Sequence, residues 1–262
     1  MVADYPRYVW QVMSGFRTRH EQGFANMRDR DIAPYVNTDD SLYVLDLANG
    51  RLRPQYTLLR AEGHRVYGVD YVNRPQHTKT DIAYKIARLL YNWKLDQSIK
   101  KVTPHTLTCG DVGLLPFPDN RFDLVTSVAA FEHFLDVPSV VAELYRVLRP
   151  GGVVWASIHL FTSPTGGHNV SFTQFPLRTL PKGVDAWDHL RKRRLSFHVP
   201  LNEWRKHQYL EGFERHFEVL NHYCAMREGD ELLTREIEAE LSSYTRDELT
   251  CGAFVIVARK AS

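Results

Sequence analysis

Cysteine is scarce in this chain, and what there is lies scattered. Cys109, Cys224 and Cys251 are the three in 262 residues, and no two form a CxxC pair. Neither a disulfide framework nor a thiolate metal site is expected, and the three read as small buried hydrophobes in a reducing compartment. No apolar run approaches the roughly 20 residues that a bilayer span needs. The opening MVADYPRYVWQVMSG lacks the basic start and uninterrupted apolar stretch of a signal peptide. Charge of one sign is missing too. Lys and Arg number 33 against 31 Asp and Glu, a formal +2, so no overall field gathers nucleic acid or an anionic membrane. These absences point to a soluble cytoplasmic protein with neither membrane nor nucleic acid as a partner. They leave its oligomeric state open.

What is present is a sheet-building rhythm. Hydrophobic residues make up 44% and aromatics 12%, enough for one large core carrying a sizeable insertion. Residues 42–47, LYVLDL, read as a buried parallel strand. A helix over 53–61 stops at Gly63, and HRVYGV at 64–69 gives a second strand ending at Asp70. The long connection 71–102 carries an amphipathic segment with Ile82, Ile86, Leu89, Leu90 and Trp93 on one face. Residues 106–109 and 122–128 give two further strands. The helix over 138–148 has Val140, Val141, Leu144, Val147 and Leu148 at helical spacing, Pro138 in its first turn and Pro150-Gly151-Gly152 to end it. A fifth strand follows at 153–159. Alternation at this spacing implies right-handed crossovers and a parallel sheet.

Residues 161–215 break the rhythm with SPTGGHN, the basic run Arg191 to Arg194, and Trp187 and Trp204. They read as an insertion over the carboxyl edge, where α/β proteins place substrates, with the two tryptophans as apolar walls of the acceptor site. Residues 217–224 and 252–260 add two strands, and between them Thr245 and Glu248 have capping-box spacing.

The most informative stretch is CGDVGLLPFPDNRFDL at 109–124, closed by LRPGG at 148–152. With the acids before it, this order resembles class I S-adenosylmethionine-dependent methyltransferases, the broad group that includes the quinone-biosynthesis methylases, over residues 42–157. The resemblance implies a doubly wound, seven-stranded, mostly parallel Rossmann-like α/β sheet with an antiparallel C-terminal strand. It divides the chain into a helical lid segment (1–40), a cofactor-binding core (41–160), a substrate-covering insertion (161–215) and C-terminal strands completing the sheet (216–262). It also implies S-adenosylmethionine as cofactor, S-adenosylhomocysteine as product, and methyl transfer to oxygen or nitrogen of a small molecule. In the family's first loop an acid is followed by three alternating glycines. Here the loop runs from Asp46 through Ala48, Asn49 and Gly50 to Leu52, so only the middle glycine remains. Ala48 fits easily if its φ is negative, and Leu52 narrows the floor of the site. By the same resemblance Asp70, 24 residues after Asp46, takes the ribose hydroxyls with Tyr71 beside it. Asp111 and Val112 meet the adenine, and Val128 and Ala129 lie under the methionine arm.

Methyl transfer from a sulfonium needs closeness, alignment and exclusion of water. A hydroxyl or amine acceptor also calls for a general base. His133, in the Glu132-His133 pair, His159 at the end of the fifth strand and His168 after Gly166-Gly167 are the candidates, although among 12 histidines each also reads as a satisfied loop residue. Their spacing permits a metal, but no acid-rich pattern accompanies them and none is expected. The aromatic N-terminal segment with Tyr8, Arg17 and Arg19 reads equally as a lid over the cofactor's carboxylate or as a packing helix. Two other readings stay open: a non-catalytic member of the fold, suggested by the two missing glycines, and a nicotinamide-dependent oxidoreductase, whose G-x-G-x-x-G is absent.

Overall fold

The computed structural model describes residues 10, 13–37, 40–73, 86, 89–90, 92–94, 106–169, 171–172, 175–194, 197 and 199–262. Among these, seven strands form one sheet: β1 (Tyr43–Leu47), β2 (Arg65–Val69), β3 (Leu107–Thr108), β4 (Phe122–Val128), β5 (Leu148–Ile158), β6 (Glu218–Arg227) and β7 (Cys251–Arg259). Their spatial order is β3-β2-β1-β4-β5-β7-β6. The pairs from β3 to β5 are parallel, and β7 runs antiparallel to both its neighbours. This is the expected mostly parallel sheet with an antiparallel C-terminal strand. β1 and β7 are buried almost throughout, as strands covered on both faces must be.

The helices with described bounds include α1 (Phe16–Ile32), α2 (Pro54–Ala61), α3 (Val137–Val147), α4 (Asp188–Arg191), α5 (Lys206–Glu214), α6 (Arg235–Glu240) and α7 (Arg246–Thr250). α3 starts where the Asp136 carboxylate accepts the Ser139 N–H at 3.2 Å, with Pro138 in its first turn. Val140, Val141, Leu144 and Val147 bury its inner face. β5 begins at Leu148, five residues earlier than the sequence rhythm suggests. Leu148 pairs with Phe122, and a register shift before Leu124 absorbs Pro150 and the glycines. The turn is held by Lys260, whose Nζ donates to Tyr145 O at 2.8 Å, Leu148 O at 2.9 Å and Asn120 Oδ1 at 2.8 Å.

α1 is polar along most of its length, yet its body is docked on a sheet face. Ile32 packs with Val44, Tyr56 and Trp155, while Arg28 is fully buried. Arg28 donates to Gln55 Oε1 at 3.0 Å and Glu62 Oε2 at 2.9 Å, which fastens α1 to α2 and the turn after it. Tyr8 lies outside the described residues, as does the side chain of Arg17, and Arg19 donates to Ser14 O at 3.4 Å. The expected amphipathic face is not a core face where it can be followed: Ile86, Leu89 and Trp93 are exposed. Ile82 falls outside the described residues.

Trp187, expected as a pocket wall, is instead the fully buried centre of a small cluster with Leu233, Ile237 and Leu249. Its Nε1 donates to Thr162 O and Leu249 O, both at 3.1 Å. The basic run is neutralised locally: Arg191 pairs with Glu240, Lys192 and Arg194 with Asp185, and Arg193 with Glu203. Solvated ion pairs of this kind contribute little to stability.

Arg28→Met should destabilise the fold by about 2–3 kcal/mol in denaturant unfolding, since it leaves a buried amide oxygen and a part-buried carboxylate without their cation. A loss below about 0.5 kcal/mol would mean that α1 is held by apolar packing alone.

Candidate active site

The carboxyl ends of β1 and β2 are stitched together by their own loops. Asp46 is buried, its Oδ2 has no partner, and burial pushes its pKa up to about 8 against the pull of the Arg28 guanidinium and the Tyr56 amide. After Leu47 the chain turns sharply. Ala48 takes φ +54° and Gly50 φ +66°. The condition under which Ala48 fits easily therefore fails: it occupies the left-handed region that glycine prefers, at a penalty of roughly 1 kcal/mol. Gly50 N–H donates to Asp70 Oδ2 at 2.8 Å, and Val72 N–H to Asp70 Oδ1 at 2.9 Å. Asn49 lies over Gly68, where an added Cβ would come within 2.4 Å of its Nδ2. That Nδ2 is buried without a partner, while its Oδ1 accepts from Asn73 at 3.3 Å.

Beyond β3, Asp111 Oδ1 accepts the Gly113 N–H at 2.8 Å, an Asx turn that opens the loop. A hydrogen bond to Asp111 also raises the pKa of the exposed Tyr71, and Val112 is buried beside them. The structure thus gathers Asp46, Ala48, Asn49, Gly50, Asp70, Tyr71, Asp111 and Val112 along one edge.

The other half of the edge follows β4. Val128 ends that strand, and Ala129, at φ +47°, donates its N–H to Ser157 O at 2.8 Å. A single 3-10 turn then spans Phe131–His133. It is clamped from 68 or more positions later by Asn202, whose Nδ2 donates to Phe131 O at 2.7 Å and Phe134 O at 2.9 Å, and whose N–H donates to Glu132 O at 2.9 Å. Tyr209 on α5 donates to Asn202 Oδ1 at 2.9 Å and fixes that amide in turn.

The three candidate histidines meet here. Ring centroids of His168 stand 4.8 Å from both His133 and His159. Gly166 and Gly167 make the approach possible: a Cβ on Gly166 would lie 2.3 Å from the carbonyls of Leu160 and Phe161, and one on Gly167 2.7 Å from the His189 ring. His168 itself is at φ +51°. His159 Nε2 lies 2.8 Å from Thr165 Oγ1, which donates its one hydrogen to the buried Glu228 carboxylate. His159 Nε2 is therefore the donor in that contact. Burial pushes the His159 pKa down to about 3 and that of His168 to about 4, so both imidazoles are neutral. Between these rings sits Glu132, 1% exposed, with neither carboxylate oxygen hydrogen bonded and its pKa pushed up to about 8 by burial.

Glu132, Asn202, Thr165 and Glu228 were not among the sequence candidates. The Glu132-His133 pair was a visible signal for the first, whereas nothing local marks Asn202 or Glu228.

Residues 45–156 match the family described as "Methyltransferase domain". The chain is 30% identical over 112 residues to a malonyl-[acyl-carrier protein] O-methyltransferase of Serratia marcescens, covering 42% of this chain and 38% of that protein. It is 40% identical over 76 residues to a demethylmenaquinone methyltransferase of Streptomyces avermitilis, covering 29% of this chain and 32% of that one. The chain thus spans about a third of the length of these curated relatives. The crystal structure of an S-adenosylmethionine-dependent methyltransferase from Mesorhizobium loti shares the fold at a TM-score of 0.52 and 18% identity, over 88% of this chain and 96% of that one. The matched segment contains the whole edge from Asp46 to His133, and His159 and His168 lie just beyond it.

Asp46 holds its proton to about pH 8 in the fold but ionises near pH 4 when unfolded. The folded state binds the extra proton in between, so this group lowers stability as pH rises through that window, by at most about 1.4 kcal/mol per pH unit. Asp46→Asn should therefore be more stable than the parent at pH 7.5 and equal to it near pH 4, measured by urea unfolding. A difference independent of pH would show that Asp46 is charged in the fold.

Proposed function

We propose that this protein transfers a methyl group from S-adenosylmethionine to oxygen or nitrogen of a small-molecule acceptor. The observation that carries the reading is the pair of buried, unpartnered atoms Asp46 Oδ2 and Asn49 Nδ2 at the end of β1, within the segment that matches a methyltransferase domain. An acceptor and a donor left unpaired three residues apart in sequence suit the amino and carboxylate ends of a methionine arm. Asp70 suits the ribose, because each of its oxygens spends one lone pair on a loop amide and keeps another for a hydroxyl. Tyr71, Asp111 and Val112 would flank the adenine, and Val128 and Ala129 the methionine arm. The residues present fit the cofactor.

When bound, S-adenosylmethionine supplies a methyl group already activated on a sulfonium. The chain's own contribution is then placement and shelter. The segment after β5 closes the acceptor side through His168 and the Gly166-Gly167 turn, excluding water. His133 Nδ1 is 2.9 Å from Pro200 O and must donate to that carbonyl, which leaves the Nε2 lone pair to receive a hydrogen bond from the acceptor. His159 and His168, with pKa values near 3 and 4, line the site as neutral groups rather than as efficient bases at neutral pH. The free cysteines suit a reducing compartment, and we place the protein in the cytoplasm. No helix among the described residues is long and apolar enough to cross a membrane.

Calorimetric titration with S-adenosylhomocysteine and with NADH tests the reading: the first should bind and the second should not. Asp70→Ala and Asp111→Ala should each weaken S-adenosylhomocysteine binding roughly tenfold or more, the loss of charge-assisted hydrogen bonds. Unchanged affinity in both folded variants would remove this edge as the cofactor site, and binding of neither ligand by the parent would favour a non-catalytic role.

A further inference from the structure

We infer that Glu132, His133 and His168 form a binding site for a divalent first-row transition-metal cation on the acceptor side of the edge. One ligand atom from each lies within 4.8 Å of the others, with Glu132 Oε1 at 4.0 Å from the Nε2 of both His133 and His168. The set is one carboxylate and two imidazoles, the donor combination that takes zinc, iron, cobalt or manganese in preference to calcium.

Three observations say the site is built for an ion rather than left over from packing. First, the Glu132 side chain is 1% exposed, and both its oxygens lack hydrogen-bond partners. Among the described residues it has no ion pair with Lys or Arg; the nearby backbone amides of Glu132 and His159 and the neighbouring Tyr209 bring no positive charge. A carboxyl buried this way is costly unless a ligand compensates it. Second, the two imidazoles present lone pairs. His133 Nδ1 is engaged by the Pro200 carbonyl, the outer contact that fixes a metal-binding histidine with Nε2 free. His168 Nε2 is buried without a partner. Third, His168 is delivered at φ +51° by a turn whose two glycines admit no side chain. Strain of this sort persists where the surrounding structure enforces it.

Ligand atoms about 2.1 Å from one ion stand roughly 3–3.4 Å apart. The observed separations therefore close by side-chain movements of about 1 Å, with the Asn202 clamp holding the 131–133 turn in place. Ion binding displaces any proton on the carboxyl and provides the positive charge that the pocket lacks. Three protein ligands leave a position open, as in catalytic rather than structural sites. In the methyl-transfer reading, on which this last step rests, that position takes the acceptor's oxygen or nitrogen and orients it, and the His133 lone pair goes to the ion instead of to the acceptor. The sequence pattern alone argued against a metal because the acid that completes the set is the lone Glu132, not an acid-rich motif.

The test is titration of the tag-free full chain, stripped with chelator, by Co²⁺ followed through its visible d–d absorption, with Zn²⁺ in competition. One equivalent should bind with a dissociation constant in the micromolar range or tighter. Glu132→Gln keeps the shape of the buried side chain, and His168→Asn keeps a residue that tolerates positive φ. Each should weaken binding at least tenfold while circular dichroism and the melting transition show an intact fold. Absence of binding up to millimolar Co²⁺, or binding that both folded variants retain, would overturn the site. Titration with S-adenosylhomocysteine in parallel separates the two claims: metal binding without it sinks the methyl-transfer reading and leaves the ion site, and the converse sinks the ion site alone.

Discussion

The parallel pairing of β1 between β2 and β4 is the constraint on which the site depends. Asp46 is level with Gly68 on one side and Thr126 on the other, so everything that follows these strands emerges at one edge. Because Gly68 has no side chain, Asn49 can fold down over β2, and its loop can then present Gly50 N–H to Asp70. Any side chain at position 68 would meet the Asn49 amide. The turn, the acid that organises it and the two unpartnered polar atoms would then lose their arrangement together.

The two halves of the edge are held in physically different ways. The half from Asp46 to Val112 is local: Asp70, Asn73 and Asp111 each bind backbone amides or carbonyls within their own or an adjoining loop. The half around Glu132 is held from far away in sequence, by Asn202 and Tyr209 on one side and by the 160–168 segment on the other. Local hydrogen bonds of this kind form whenever the strands do. The distant clamp requires the segment after β5 to fold back onto the sheet, so this half is the more dependent on tertiary packing.

This difference explains what could be read from the sequence. Apolar runs located β1, β2 and β4, the first two ending in acids, and the helical period of the buried valines and leucines behind Pro138 located α3, since both signals come from burial. The boundary of β5 was displaced because Pro150-Gly151-Gly152 sits in a bulged strand start, which in sequence looks the same as a helix stop. Trp187 was misjudged because a tryptophan in a long loop reads as a pocket wall until its indole N–H is seen to be satisfied by two carbonyls. The histidines were legible as candidates. Their convergence on Glu132 was not, because it is produced by glycine-permitted backbone contacts and an asparagine clamp that leave no periodic trace.

Burial of two carboxyl groups on one edge, Asp46 and Glu132, also bears on how the protein separates its tasks. Each is desolvated, but their surroundings differ. Asp46 has the Arg28 guanidinium near enough to draw its pKa down, so α1, through one buried cation, tunes the half of the edge nearest β1. Glu132 has no such cation among the described residues, and nearby His159 and His168 are imidazoles held neutral by the same burial. A positively charged group entering the edge therefore gains most beside Glu132, where no Lys or Arg among the described residues competes for the carboxylate, and least beside Asp46, where Arg28 already contributes. Electrostatics thus gives the two ends different ligand preferences before any ligand arrives, and the polar α1 earns its place on an otherwise apolar sheet face by setting one of them.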